Sequence, residues 1–147
     1  MDFSIPSDLS KDLDRFKDFL RTRVKPDVSR WYTKGTIPRS FFHAMGEGGW
    51  FGFRIGDRGI LRLSFLREAL LAEELASLCP GLAIAALVHG ELGIAGLRLF
   101  GSEFLKDRYG VSAVSGENIL CLGSTENSAG SDVAGILTRR VGRSLEI

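Results

Sequence analysis

The sequence predicts a mainly α-helical bundle followed by the first strands of a second, β unit. Apolar residues with helical spacing recur through residue 109, and near residue 116 the composition shifts to glycine and small polar residues. With 147 residues, 44% of them hydrophobic, a single core can form without a disulfide or a metal. We therefore divide the chain into a helical domain, residues 1–115, and an incomplete β unit, residues 116–147.

The first helix is predicted by apolar residues that recur every three or four positions from Leu9 to Val24, with charged residues between them. Pro26 is expected to interrupt or kink this helix near its end. A shorter helix is predicted to begin at Pro38 and to end at the glycine cluster 46–49. The stretch from Trp50 to Leu63 is predicted to be an irregular loop.

The most apolar helix is predicted from Leu82 to Phe100, after a helix that Ser64 caps and that ends before Pro80. It is apolar almost all round, as a central buried helix would be. The glycines at 90, 93 and 96 would lie along one of its faces. Because glycine destabilises a helix, they indicate close packing by another backbone or by a ligand.

Two ionisable residues on this helix have different expected surroundings. His89 is predicted to be a core histidine whose hydrogen bonds are satisfied. Glu91 is expected to pair with Arg98, two turns away, or to line a subunit contact. On the preceding helix, Glu74 is predicted to be a solvated or capping charge.

After the apolar helix, Ser102 is predicted to cap a short helix that runs through Tyr109. Two strands are then predicted, at Ile119 to Leu122 and at Ile136 to Val141. An isolated pair of strands is marginally stable in water, so we expect the sequence to stop inside a second domain.

Composition excludes several classes of function. Nineteen Lys and Arg against 18 Asp and Glu leave a net charge of +1, which argues against nucleic acid or an anionic membrane as partner. Cys79 and Cys121 lie in no metal-ligand pattern and are expected to be reduced, buried thiols, with a disulfide as the minority alternative. We expect no secretory signal. Because Pro80 breaks the longest uncharged stretch, Leu75 to Gly90, we also expect a cytoplasmic protein without a membrane span.

The residues from Leu122 to Gly135 concentrate glycines, hydroxyls and uncovered backbone N–H groups. A loop of this composition can approach a phosphate or a planar heterocycle closely. The alternative is a tight loop between strands, held by local turn hydrogen bonds. The loop matches neither a P-loop nor the glycine motif of dinucleotide-binding folds.

The segment Thr-Glu-x-x-Ala-Gly-Ser-Asp-Val-Ala-Gly-Ile, from Thr125 to Ile136, closely resembles the flavin loop of the acyl-CoA dehydrogenase family. The resemblance covers essentially the whole chain. Upstream features agree with the family in order and spacing: Gly49-Trp50-Phe51-Gly52-Phe53, Glu73-Glu74-Leu75-Ala76, Pro80-Gly81-Leu82-Ala83, His89, Phe100-Gly101-Ser102-Glu103 and Lys106 to Tyr109.

The resemblance implies a helical N-terminal domain, a middle β-barrel domain and a C-terminal four-helix domain, of which only the first is expected to be complete here. In this family FAD takes a hydride from Cβ of an acyl thioester while a carboxylate takes the Cα proton, giving the trans-2-enoyl product. The catalytic glutamate and the second flavin-contacting strand are expected beyond Ile147. The chain alone is therefore predicted to be inactive, with no catalytic or metal-ligating residue of its own.

The resemblance also assigns cofactor contacts within the loop. Thr125 is expected to hydrogen-bond the flavin ring, with main-chain contacts from Leu122 and Ser124 beside it. Gly130 and Ser131 would face the pyrophosphate, and Ser131 would also lie near the CoA part of the thioester. Oriented donors at the flavin would stabilise the negative charge that develops on it during hydride transfer.

The acyl cavity of the family is matched by apolar residues of the predicted buried helix. Their spacing places them on one face, which predicts binding of a hydrophobic acyl group, and the alternative is that they are ordinary core. These residues are Ile84, Ala85, Val88 and Leu92.

Departures from the family pattern keep other functions open. Asn127 and Ser128 replace the usual Pro and Gly, which allows an acyl carrier protein thioester in place of acyl-CoA. A flavin-dependent monooxygenase on the same scaffold, or a non-catalytic truncated or docking subunit, is the alternative to a dehydrogenase. The family suggests an electron-transferring flavoprotein as acceptor. It also suggests a homotetramer, and a complementing chain that supplies the remaining parts is the alternative assembly.

Overall fold

The computed structural model describes residues 4–57, 59–142 and 144–146. Its mainly α-helical architecture confirms the predicted fold class. In chain order the helices are α1 (Ser7–Phe19), α2 (Lys25–Lys34), α3 (Arg39–Glu47), α4 (Phe65–Leu78), α5 (Pro80–Leu87), α6 (Ala95–Phe100) and α7 (Glu103–Val114). Two antiparallel hairpins pair β1 (Phe53–Gly56) with β2 (Gly59–Arg62) and β3 (Arg139–Val141) with β4 (Ser144–Glu146).

A π-helical turn, Leu20–Val24, connects α1 to α2 without a break in the helical path. Pro26 lies in the first turn of α2, where a missing N–H removes no helical hydrogen bond. The buried side of α1 continues through the turn at Phe16, Leu20 and Val24. The change of helix type at residues 20–24 lies just before Pro26, and the helical path continues past the proline to Lys34.

The stretch Trp50 to Leu63, predicted as an irregular loop, contains the hairpin of β1 and β2 instead. Phe53 pairs with Arg62, and Gly56 pairs with Gly59 next to the turn. Gly59 has a φ of 87°, which a residue with a side chain rarely adopts, so this glycine permits the turn. Strands this short, with a glycine in each, lack the alternation from which a strand is predicted.

Both predicted serine caps are confirmed. Ser64 Oγ accepts from the N–H of Arg67 at the start of α4, and Ser102 Oγ accepts from that of Leu105 in α7, each at 3.4 Å. The helix that follows Ser102 continues to Val114, beyond its predicted end.

One continuous helix of 21 residues, the central helix, runs from Pro80 to Phe100 through α5, a π-helical segment Val88–Ile94, and α6. Pro80 lies in the first turn of this helix, after α4 has ended at Leu78, so the break predicted at Pro80 within the stretch Leu75 to Gly90 is confirmed. By length and composition the helix could cross a membrane, but a core helix of a soluble protein passes the same test. Of its most apolar window, 44% is buried within the protein.

Burial of the central helix is one-sided, which corrects the prediction of a helix buried all round. Leu82 and Ile94 face the core and are almost inaccessible. By contrast, Ile84, Leu92 and Phe100 are exposed by 61%, 46% and 88%. The described residues therefore cover one side of this helix and leave an apolar side open.

Two of the three glycines on this helix are closely packed, as predicted, and the third is not. A Cβ on Gly90 would lie 2.9 Å from the carbonyl oxygen of Phe51, and one on Gly93 would lie 2.4 Å from the Cβ of Leu120. A Cβ on Gly96 would have nothing within 4 Å. Close approach thus explains Gly90 and Gly93 but not Gly96.

The core is filled by aromatic rings and bordered by ion pairs. Phe16 of α1 packs on Trp50 with ring centroids 5.1 Å apart. Lys17 Nζ lies 3.1 Å from Oε1 of Glu74, which connects α1 to α4 at the protein surface. Glu74 is therefore a partly solvated charge, as predicted.

The predicted strand Ile119 to Leu122 is not formed, and the predicted strand Ile136 to Val141 is reduced to β3. A strand needs a partner for its backbone groups, and none lies beside residues 119–122 in the described part of the chain. Gly116 turns the chain out of α7 with a φ of 74°, and a Cβ there would lie 2.0 Å from the carbonyl oxygen of Phe42.

Gly93 and Gly96 allow a matched test of this packing. Gly93→Ala should lower the free energy of unfolding by about 1–3 kcal/mol, because the new methyl group would overlap Leu120. Gly96→Ala should raise it by up to about 1 kcal/mol, since the methyl group meets open space and alanine favours a helix. Urea unfolding of both variants measures the difference, and equal effects would contradict this account of the glycines.

Candidate functional site

His89 lies on the π-helical segment of the central helix and is fully buried. Its Nε2 donates to the carbonyl oxygen of Ala113 in α7, and its Nδ1 accepts from the N–H of Leu120, both at 3.0 Å. Burial lowers the pKa of His89, partly offset by the hydrogen bond to Ala113, and so favours the neutral ring that this pair of bonds requires. The predicted core histidine is confirmed, and it anchors the segment that leads into the loop after residue 121.

The predicted cofactor contacts lie together on that loop, and each of them is exposed. They form no hydrogen bond with another residue of the described ranges, and a Cβ on the loop's Gly130 would have nothing within 4 Å. The loop therefore presents unused hydroxyl and backbone N–H donors on its outer surface. These residues are Leu122, Ser124, Thr125, Gly130 and Ser131.

Glu126, to which the sequence pattern assigned no role, closes this loop. Its Oε2 accepts from the N–H of Leu137 at 2.8 Å, and its Oε1 accepts from that of Thr138 at 2.7 Å. Hydrogen bonds from Thr138 and Leu137 hold the pKa of the Glu126 carboxyl below its usual value. The sequence offered one sign of this role: Glu126 directly follows Thr125, for which a flavin contact is predicted.

The predicted acyl-lining residues lie on the open side of the central helix, at Ile84, Ala85, Val88 and Leu92. Ile84 and Leu92 are exposed, and Ala85 and Val88 are partly buried. Leu92 alone among the four lines an apolar groove that leads to the start of the loop. The groove is formed by Leu92, Gly93, Gly96, Leu97, Leu105, Tyr109, Leu120 and Cys121.

The two cysteines are free thiols, and neither is fully buried. Cys79 is partly buried, and Cys121 is exposed in the groove just described. The prediction of buried thiols is therefore wrong for Cys121, because no strand covers residues 119–122 in the described part of the chain. Within the described ranges, no three His, Cys, Asp or Glu side chains lie where they could share a metal ion.

Glu91 pairs with Arg62 of β2 and not with Arg98, which corrects the sequence prediction. The same guanidinium donates from Nη1 to Oε2 of Glu68 in α4 at 2.8 Å. The three side chains, which we call the charge cluster, are largely shielded from solvent and connect β2, α4 and the central helix. Sequence reasoning missed Arg62 because the hairpin that carries it was not predicted.

The two carboxyl groups of the charge cluster share one arginine, and their pKa values move apart. Burial, together with the hydrogen bond and charge of Glu91, raises the pKa of Glu68 to about 7, against the influence of Arg62. Burial alone would raise the pKa of Glu91, but hydrogen bonds from Glu68 and Arg62 lower it. Of the two carboxyl groups, Glu68 is therefore the one that binds a proton more readily.

The chain is a helical bundle whose last helix is followed by an exposed loop rich in hydrogen-bond donors, and these two features indicate its protein family. Residues 10–117 match the model of the acyl-CoA dehydrogenase N-terminal domain. The chain belongs to the acyl-CoA dehydrogenase family.

Individual relatives are similar along almost all of this chain. The probable acyl-CoA dehydrogenase YngJ of Bacillus subtilis is 31% identical over an alignment 147 residues long, and the alignment covers 96% of this chain and 37% of that protein. Benzylmalonyl-CoA dehydrogenase of Aromatoleum aromaticum is 29% identical over 142 residues, which cover 94% and 37%. The chain thus spans little more than a third of the length of these curated relatives.

Solved structures of the family have the same fold. The crystal structure of glutaryl-CoA dehydrogenase from Mycobacterium smegmatis aligns with a TM-score of 0.83 at 30% identity, over 94% of this chain and 36% of that one. A glutaryl-CoA dehydrogenase from the same organism in complex with FADH2 aligns with a TM-score of 0.83 at 27% identity, again over 94% and 36%.

The charge cluster predicts a specific dependence of stability on pH. Because the pKa of Glu68 is about 7 in the fold and 4.5 as its ordinary value, its stabilising contribution is complete below pH 4.5 and is lost as the pH rises through 7. Glu68→Gln keeps a neutral side chain, so its unfolding free energy should gain on the parent by on the order of 1–3 kcal/mol between pH 5 and pH 8.

Urea unfolding across that pH range measures this gain. Glu73→Gln, which removes an exposed carboxylate from the same helix, is the matched control and should follow the parent profile. If the unfolding free energies of Glu68→Gln and the parent ran parallel at every pH, the raised pKa of Glu68 would be disproved.

Proposed function

We propose that this chain supplies the N-terminal helical domain and the flavin loop of an FAD-dependent dehydrogenase that oxidises an acyl thioester to its trans-2-enoyl product. The observation that carries the proposal is the loop of residues 122–131, in which Leu122, Ser124, Thr125, Gly130 and Ser131 are exposed beside an open apolar groove and form no hydrogen bond within the described ranges. We place the boundary of the helical domain at residue 115 and assign residues 116–147 to the start of a middle β-barrel domain.

The chemistry of the loop fits FAD. A flavin ring needs donors at its pyrimidine end, and a pyrophosphate needs small residues that leave backbone N–H groups uncovered. The loop offers both kinds of group, and no side chain fills the space beside Gly130. The solved relative with FADH2 supports the same assignment.

We assign the cofactor contacts as follows. Thr125 donates to the flavin ring, and Leu122 and Ser124 contribute main-chain contacts beside it. Gly130 and Ser131 hold the pyrophosphate, and Ser131 also contacts the CoA part of the substrate. When bound, FAD would accept the hydride from Cβ of the acyl group, and the donors of this loop would stabilise the negative charge that results.

The acyl group is proposed to pack on the open side of the central helix, against Ile84, Ala85, Val88 and Leu92. All four are apolar, which favours a hydrophobic acyl chain over a charged one. Relatives named for benzylmalonyl-CoA and for very long-chain acyl-CoA support a CoA thioester, with an acyl carrier protein thioester as the alternative.

The family also suggests an electron acceptor and an assembly for the reaction, and the sequence suggests a compartment. We propose an electron-transferring flavoprotein as the acceptor of electrons from the flavin, a homotetramer as the assembly and the cytoplasm as the compartment. We assign no catalytic base to the 147 residues of this chain.

Thr125→Val tests the proposed flavin contact. In the holoenzyme that contains this chain, losing one hydroxyl should raise the Kd for FAD by about tenfold, because the flavin loses a hydrogen bond. Quenching of flavin fluorescence during titration measures the Kd. Thr33→Val, on exposed α2, removes a hydroxyl far from the loop and should leave the Kd unchanged; an unchanged Kd for Thr125→Val would refute the contact.

Val88→Trp tests the proposed acyl contact. The larger side chain should shorten the longest acyl chain that the holoenzyme accepts and lower kcat/KM for long-chain thioesters by about tenfold or more, while short-chain thioesters change little. Steady-state kinetics over a series of acyl chain lengths measures the shift. Val111→Trp places the same residue on the exposed face of α7 as a control, and a chain-length preference equal in both variants would reject the assignment.

A further inference from the structure

Glu126 joins two parts of the loop that are distant in sequence. One carboxylate accepts two consecutive backbone N–H groups, from Leu137 at 2.8 Å and from Thr138 at 2.7 Å. Ser128 Oγ adds a third, longer hydrogen bond to Oε2 at 3.4 Å. Charge-assisted bonds of this kind are roughly twice as strong as bonds between neutral groups.

The backbone of Glu126 reinforces this closure. Its N–H donates to the carbonyl oxygen of Ala129 at 2.8 Å, and the side chain of Ala129 is buried. Farther along, the N–H of Gly135 donates to the carbonyl oxygen of Asp132 at 3.0 Å within a 3-10 turn, Val133–Gly135. Residues 126–138 therefore form a loop that is closed by hydrogen bonds within the chain itself.

The pattern of used and unused groups separates two kinds of residue in this loop. The side-chain oxygens and the backbone N–H of Glu126 all form hydrogen bonds within the loop. Thr125, Gly130 and Ser131 make no hydrogen bond to any residue of the described ranges, and their side chains or backbone lie exposed. The loop is thus held by one residue and offers its donors through others.

We propose that Glu126 is a positioning residue that closes the loop before the cofactor binds, so that the donors around it need no ordering when FAD arrives. The closure itself depends only on the contacts given above, whereas its purpose rests on the proposed function. A loop ordered in advance binds more tightly, because less conformational entropy is lost on binding.

Amide hydrogen exchange in the flavin-free chain tests the closure directly. In Glu126→Ala, exchange at Leu137 and Thr138 should accelerate by about tenfold or more, because both N–H groups lose their acceptor. Glu126→Gln retains one acceptor oxygen and should give an intermediate rate. Exchange at Leu120, which His89 protects, should not change in either variant and reports that the domain is still folded.

FAD titration of the holoenzyme tests the purpose of the closure. The Kd should rise by about tenfold in Glu126→Ala and by less in Glu126→Gln, in the same order as the exchange rates. Glu117→Gln, an exposed glutamate before the loop, should change neither measurement.

The outcomes separate the two claims. Unchanged exchange at Leu137 and Thr138 in Glu126→Ala would overturn the closure. Faster exchange with an unchanged Kd for FAD would overturn the positioning role. A parent protein that protects both amides but binds no FAD would support the closure and overturn the proposed function.

Discussion

The rest of this structure depends on the two hydrogen bonds that a neutral, buried histidine forms in the core. His89 satisfies the carbonyl of Ala113 and the N–H of Leu120, and a buried group left unpaired costs about 1–3 kcal/mol. Gly93 allows Leu120 to lie directly against the same helix. These contacts bind the segment after α7 to the central helix, so the loop that follows starts from a rigid position.

The central helix has two apolar sides with different surroundings. Its inner side, with Leu82 and Ile94, completes the core, and burial of apolar surface stabilises the bundle. Its outer side is exposed at Ile84 and Leu92, and Leu92 lines an open groove that reaches the start of the loop at Leu120 and Cys121. The exposed apolar side of the helix and the exposed loop are therefore joined by the groove, and the contacts of His89 and Gly93 with Leu120 fix where they meet.

Much of the fold could be predicted from sequence, because helical periodicity and caps are local. The amphipathic first helix, the serine caps of α4 and α7 and the core position of His89 all follow from residue spacing. The β1–β2 hairpin and the partner of Glu91 could not be predicted. Arg62 reaches Glu91 from a strand 29 residues earlier, and no local pattern records that distance. The pKa values of Glu68 and Glu91 move apart only because β2, α4 and the central helix meet there.

The sequence by itself determined the family, because Thr125 to Ile136 resemble its flavin loop and residues 10–117 match its N-terminal domain. The tertiary structure alone decided which groups are free to act. Glu126 and Thr125 are adjacent polar residues, yet Glu126 accepts hydrogen bonds from Leu137 and Thr138 while Thr125 is left exposed. Which groups pair by hydrogen bonds depends on which of them the backbone brings close together in space. The spacing of residues along the chain does not specify that proximity.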